Sequence, residues 1–99
     1  MLVVFADKAL EKLVGDRRKL ERKYGAVQAR LILRRLDDMR NAVTVDSLLF
    51  LPGNYHALKG DRNGQFSCHL KEPYRLIFGI RECAGLPTQI IIIEIVDYH

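Results

Sequence analysis

The sequence is poor in cysteine, proline and glycine, and it has no long apolar run. Its 99 residues include two cysteines, three prolines and seven glycines. Cys68 and Cys83 cannot build a disulfide framework and lack metal-finger spacing, so we expect reduced thiols. No apolar run approaches the ~20 residues of a membrane span, and the first residues lack the basic region and cleavage site of a signal peptide. We therefore expect a cytoplasmic protein that is neither secreted nor membrane-bound.

The short motifs of the common enzyme classes are also missing. The sequence contains no GxxxxGK[ST] or GxGxxG phosphate-binding loop, no HExxH or EF-hand metal pattern and no GxSxG hydrolase motif. No cofactor and no metal ion are therefore expected. Hydrophobic residues make up 48% of the chain and low-complexity segments are missing, which excludes disorder. We expect one domain over residues 1–99.

Positive charge is in excess and unevenly distributed. The net charge is +4, and lysines and arginines outnumber carboxylates most clearly in residues 16–40. Phosphate-rich nucleic acid is the usual match for such a surface, because each neutralised phosphate releases counterions. An acidic protein partner fits the same charge, and a solvated helix surface is a third interpretation.

The spacing of apolar residues changes near residue 50. It is helical before that point and alternates after it, which predicts an α+β fold with N-terminal helices packed on an antiparallel sheet. Residues 44–50 fit either one helical turn or an extended stretch. The expected elements are a strand at 2–5, helices from Asp7 to Gly15, at 16–24 and at 26–41, and strands at 66–70, 74–81 and 89–96.

Polar residues that could carry chemistry stand near the ends of these strands. They are His56, Lys59, Asp61 and Arg62 before the first hairpin strand, Arg75 on its partner, and Asp97, Tyr98 and His99 after the last strand. If strand 74–81 lies between its two neighbours, Arg75 faces the end of strand 89–96 and the loop with His56 folds over the same edge. Histidines beside a fixed cation suit metal-free RNA cleavage, which needs a base, an acid and stabilisation of a charged phosphorane. Arg75 could instead be a cross-strand ion-pair partner, and the last three residues could fray.

Three blocks of the sequence resemble a known family. They are residues 55–67 (YHALKGDRNGQFS), residues 74–78 (YRLIF) and residues 94–99 (EIVDYH). At this spacing they resemble the HigB-type toxins of the RelE/ParE superfamily, also called plasmid maintenance system killer proteins. The resemblance spans nearly the whole chain, although Ala57 replaces a common proline and tryptophan is frequent where Phe66 and Tyr74 stand.

The resemblance implies a compact α+β fold and the toxin of a type II toxin–antitoxin system. Such a toxin cleaves messenger RNA on the 70S ribosome and is held inactive by a cognate HigA-type antitoxin. The family's catalytic residues match here at His56, Asp97, Tyr98 and His99, and Lys59 and Arg75 match as phosphate-binding cations. We further assign Arg17, Arg18, Arg22 and Lys23 to docking on ribosomal RNA.

Two alternatives keep the fold and change the function. A ParE-like relative would inhibit DNA gyrase, and a degenerate member would be a catalytically inactive protein-binding module. A zinc site from His56, His69 and His99 is a third possibility, although no pair of them has ligand spacing. His69 alternates with apolar strand positions, so we interpret it as a residue on the solvent side of the sheet.

Overall fold

The computed structural model describes residues 1–97 and arranges them as four α-helices and a five-stranded sheet. The helices are α1 (Lys8–Val14), α2 (Arg17–Tyr24), α3 (Ala26–Asn41) and α4 (Val45–Leu49). The strands are β1 (Leu2–Phe5), β2 (His56–Ala57), β3 (Gln65–His69), β4 (Tyr74–Arg81) and β5 (Gln89–Asp97). A 3-10 turn at Gly60–Arg62 precedes β3. Within residues 1–97, no helix is long and apolar enough to cross a bilayer.

The helix boundaries follow from capping side chains. The Asp7 carboxylate accepts hydrogen bonds from the first turn of α1, and Asp16 does the same for α2. Gly25, with a φ of 86°, separates α2 from α3. Thr44 and Ser47 form a reciprocal capping box that starts α4. This box decides the open question over residues 44–50 in favour of a helix.

The strands lie in the order β1-β5-β4-β3-β2. Three of the four pairs are antiparallel, and β4 lies between β3 and β5, which meets the condition under which Arg75 faces the end of the last strand. The exception is β1, which runs parallel to β5. The sequence-based prediction of an α+β fold is confirmed, but the sheet is mixed and not wholly antiparallel, because β1 adds to the edge of β5 in the parallel direction.

The core lies between α3 and one face of the sheet. The helices contribute the fully buried Leu20, Ile32 and Leu36, and the strands contribute Leu76 and Phe78. Burial of this apolar surface is the main favourable term in folding. Cys68 also lies in this core, and burial raises the pKa of its thiol to about 12. Cys68 is therefore a packing residue and not a nucleophile.

Candidate active site

Strand register places two histidines and an arginine on the sheet face opposite the core. His69 pairs with Arg75 across β3 and β4, and His56 pairs with Ser67 across β2 and β3. Side chains alternate along a strand, so these residues point away from the face that carries Cys68 and Leu76. We call this second side, defined by His56, Ser67, His69 and Arg75, the histidine face.

The loop before β2 is held tightly against β3. The His69 amide donates to the Gly53 carbonyl at 2.7 Å, and Arg35 Nε donates to the His69 carbonyl at 2.9 Å. Gly53 has a φ of 128°, and a Cβ there would lie 2.8 Å from Arg35 Nε. Only glycine fits this position without strain, and its close approach brings Asn54 and His56 alongside His69.

The ring of His56 has one defined tautomer in its neutral form. Its Nδ1 lies 2.8 Å from the Asn54 carbonyl oxygen. Because a carbonyl only accepts hydrogen bonds, Nδ1 carries the proton and Nε2 carries the lone pair. The Ser67 hydroxyl lies 3.3 Å from Nε2, a long bond that a substrate hydroxyl can replace. His56 is exposed, and a neutral ring with its lone pair on Nε2 can accept a proton.

His69 lies between His56 and Arg75. Its ring centroid is 6.3 Å from that of His56, its Nε2 is 3.0 Å from the Asn54 amide nitrogen, and its Nδ1 is 3.8 Å from a Glu72 oxygen. Burial, followed by repulsion from the Arg75 guanidinium, lowers the pKa of His69 from its ordinary value of 6.5. The folded protein therefore favours neutral His69.

Arg75 is fixed by two kinds of acceptor. Its Nη1 donates to the Tyr74 carbonyl at 3.0 Å and lies 3.1 Å from one Glu72 oxygen, while Nη2 lies 3.3 Å from the other. The Arg75 side chain is 15% exposed and the Glu72 side chain 69% exposed. A solvated carboxylate therefore occupies the guanidinium fork that could otherwise bind a phosphate.

The structure does not bring all of the other predicted site residues to Arg75. Lys59 follows Leu58, whose amide bonds to Gln65 at the far end of β3, so Lys59 is not brought to Arg75. Asp97 is in register with Tyr74, next to the Arg75–Val96 pair, at the same end of the sheet as Arg75. Tyr98 and His99 lie outside the described residues.

Two further polar residues from the sequence analysis, Asp61 and Arg62, lie in the 3-10 turn before β3. Arg62 Nη2 lies 2.6 Å from Glu94 Oε1, and its Nη1 donates to Gln65 Oε1 at 3.0 Å. These bonds tie the 3-10 turn to β5. Within residues 1–97, no three His, Cys, Asp or Glu side chains are grouped to hold a metal ion, and the His99 of the zinc alternative is outside that range.

The four cations that the sequence analysis assigns to ribosomal RNA lie on α2, in the helical layer. Arg17 forms an exposed ion pair with Glu21 at 3.7 Å, and Arg18 and Arg22 line a shallow depression. Lys23 Nζ lies 5.6 Å from the centroid of the Tyr24 ring. Tyr24 in turn packs edge-on against Tyr74 at 5.8 Å, so the end of α2 packs on the core side of β4 and not on the histidine face.

Sequence reasoning assigned no role in RNA cleavage to three residues of this cluster: Asn54, His69 and Glu72. His69 lies on the side of the sheet away from the core, as predicted, but its pairing with Arg75 was not part of that prediction. The predicted strands at 66–70 and 74–81 leave residues 71–73 as a short turn, and counting outward from it places His69 opposite Arg75. That pairing was a signal in the sequence, whereas the contacts of Asn54 depend on the loop conformation.

Comparison with known proteins gives matches among solved structures. No family model and no curated protein matches the chain. A YoeB/ParE toxin from Agrobacterium tumefaciens superposes with a TM-score of 0.70 at 13% identity, covering 100% of both chains. A YoeB–YefM complex from Staphylococcus aureus superposes with a TM-score of 0.65 at 19% identity, covering 100% of this chain and 98% of that one. The YoeB dimer of Staphylococcus aureus superposes with a TM-score of 0.63 at 20% identity, covering 100% of this chain and 97% of that one.

The chain has the fold of the YoeB/ParE toxins. The likeness extends over the whole described chain, so the helical layer and the five-stranded sheet both belong to the shared YoeB/ParE fold. At these identities it establishes the fold alone, because one fold can carry different functions. The function has to be argued from the side chains of the histidine face.

Proposed function

We propose that this protein is the toxin of a type II toxin–antitoxin system and a ribosome-dependent endoribonuclease of the HigB type. The observation that carries the proposal is the row of His56, His69 and Arg75 on one face of the sheet. A base and a cation on the same face are what metal-free cleavage of a ribose phosphodiester requires.

His56 supplies the base in this proposal. Its unprotonated Nε2 takes the proton of the ribose 2′-hydroxyl, and the resulting oxygen attacks the adjacent phosphorus. The bond from phosphorus to the 5′-oxygen breaks, so one product ends in a 2′,3′-cyclic phosphate and the other begins with a 5′-hydroxyl. The leaving oxygen must receive a proton, and Tyr98 and His99 are the residues that we propose as the acid.

Arg75 stabilises the charge that develops on the phosphate. Its planar guanidinium can donate two parallel hydrogen bonds to one phosphate, which a lysine cannot do. Glu72 now occupies that position, and because it is largely solvated its displacement costs little. Asp97 lies at the same end of the sheet and is the residue that we propose to orient the acid. We assign Lys59 to contact with the RNA farther along β3.

A protein that cleaves cellular messages needs an inhibitor. The YoeB of Staphylococcus aureus has been solved in complex with YefM, in a toxin–antitoxin heterotetramer. By analogy we propose that a cognate antitoxin, of the HigA type, binds this chain in the cytoplasm. Arg17, Arg18, Arg22 and Lys23 are then assigned to ribosomal RNA, because the few phosphates of one codon offer little binding energy.

The experiment is cleavage of a defined message by the purified protein, with and without programmed 70S ribosomes, followed by mapping of the new ends. We expect cuts at codons in the decoding site only when ribosomes are present. His56→Gln should lower the rate about 10²–10⁴-fold, the range of a general base. Cleavage of free RNA at equal rate would contradict the ribosome requirement, and an unchanged rate for His56→Gln would contradict the role of the base.

The gyrase alternative is tested on the same preparation. If the protein cuts no message on ribosomes but blocks DNA supercoiling by gyrase, the fold is used as in ParE-like relatives and the endoribonuclease proposal fails. If it does neither and binds only the antitoxin, the chain is an inactive binding module.

A further inference from the structure

We propose that Asn54 is a positioning residue that selects which of the two histidines acts as the base. This inference rests on the proposed function, in which a histidine of this face removes the ribose proton. Asn54 contacts both rings at once, through its backbone carbonyl to His56 and through its side-chain amide to His69.

The backbone of Asn54 determines the state of His56. Asn54 has a φ of 48° and is the one non-glycine residue with a positive φ among residues 1–97. This left-handed conformation is tolerated by asparagine better than by most residues, and it turns the carbonyl toward His56 Nδ1 at 2.8 Å. The proton is thereby kept on Nδ1, and the lone pair of Nε2 remains available.

The side chain of Asn54 has the opposite effect on His69. Its amide nitrogen can only donate, and it lies 3.0 Å from His69 Nε2, so it occupies the lone pair that His69 would use as a base. The remaining ring nitrogen, Nδ1, then carries the proton and faces Glu72 at 3.8 Å. Without this bond the two rings, 6.3 Å apart, would be competing bases over the same stretch of surface.

The other charged groups around His69 agree with a neutral ring. Arg75 on β4 and Arg35 on α3 both disfavour the imidazolium, as does His56 on β2, and Glu72 in the turn alone favours it. Burial is the largest effect and also disfavours the imidazolium, so the pKa of His69 is lowered. Neutral His69 is therefore present to accept the Asn54 bond at neutral pH.

The test is nitrogen NMR of the histidine side chains in the full-length protein, at a pH well above 6.5. The inference predicts that His56 and His69 both carry their proton on Nδ1 and that the Nε2 signal of His69 shows a hydrogen-bonded lone pair. A proton on Nε2 of His69, donated to the Asn54 oxygen, would overturn the inference. This measurement uses the unchanged chain and needs no variant to fold.

Two variants separate the contacts. Asn54→Gly keeps the positive φ and the carbonyl but removes the amide, so His56 should retain its tautomer while the His69 signal loses the hydrogen-bond shift. Asn54→Asp replaces the donor by a carboxylate, which should move the His69 proton to Nε2 and raise the pKa of His69. Asn63→Gly, the same change in the loop before β3, is the matched control and should leave both rings unchanged. If Asn54→Gly alters neither ring, the inference is wrong.

The activity arm distinguishes this inference from the proposed function. In a His56→Gln background, Asn54→Gly should restore ribosome-dependent cleavage at least severalfold, because the freed His69 can take over as base, and His69→Gln should abolish that gain. If cleavage depends on His56 and no gain appears, Asn54 does not select the base, although the proposed function stands. If the NMR results hold and no variant or wild-type protein cleaves RNA, the proposed function fails while the contacts of Asn54 remain.

Discussion

His69 and Arg75 face each other across β3 and β4 and share the carboxylate of Glu72. The carboxylate balances the guanidinium in the absence of substrate and gives His69 a neighbour for its Nδ1 proton. The pair lies beside the hairpin turn, where exposed Glu72 can be displaced without unfolding a strand.

Glu72→Gln should strengthen binding of a short RNA up to about fivefold, the scale of an exposed ion pair. The reason is that a phosphate no longer competes with a carboxylate for Arg75. The measurement is fluorescence anisotropy at several salt concentrations. Glu82→Gln makes the same charge change beyond the end of β4 and is the control. Weaker binding by Glu72→Gln than by Glu82→Gln would mean that Glu72 is needed to hold Arg75 in place.

Arg75→Lys should lower ribosome-dependent cleavage about 10²-fold, the cost of removing a hydrogen-bond donor from a charged transition state. Lysine keeps the positive charge but not the planar fork. Circular dichroism and the Tm should stay close to those of the wild type. A variant that has lost its melting transition would show instead that Arg75 is a structural residue.

The stability of the protein should depend on His69 at mildly acidic pH. Its pKa is lower in the folded protein than the ordinary 6.5, so between these two values the unfolded chain binds more protons. The free energy of unfolding should therefore fall as the pH drops through this window. Measured by urea denaturation, the stability of wild type relative to His69→Gln should decrease on acidification. An increase over the same range would contradict the lowered pKa.

Much of this fold was predictable because local pattern and final structure agree. The apolar stripe of α3 gave residues 26–41, which are the bounds observed, and alternation gave Tyr74–Arg81 for β4. The parallel pairing of β1 with β5 was not predictable, since these strands are separated by nearly the whole chain. Pairing over such a distance depends on the packed helices and leaves no local pattern.

The site was predictable in part for the same reason. His56 and Arg75 stood out as polar residues at strand ends, and register then placed them on one face. Asn54 was not identifiable, because its role depends on a left-handed backbone and on contacts across the loop. In the sequence Glu72 is an ordinary turn residue, and its contact with Arg75 follows only from the geometry of the hairpin.

Neutralising the basic residues of α2 tests the docking assignment. Replacing Arg17, Arg18, Arg22 and Lys23 by glutamine should weaken ribosome binding and flatten its salt dependence, because fewer phosphate counterions are released. These side chains lie on the helical layer, so the histidine face should stay intact. Sedimentation with ribosomes measures the effect. Normal sedimentation combined with loss of antitoxin pull-down would assign this surface to the antitoxin.

The central claim is that His56 activates a ribose hydroxyl on the histidine face, and the chemical nature of the cut ends tests it most directly. A message cleaved on programmed ribosomes should carry a 2′,3′-cyclic phosphate on the upstream fragment and a 5′-hydroxyl on the downstream one. Mass spectrometry of the two ends gives the answer. A 3′-hydroxyl with a 5′-phosphate would mean that water attacks the phosphorus, and it would contradict the account.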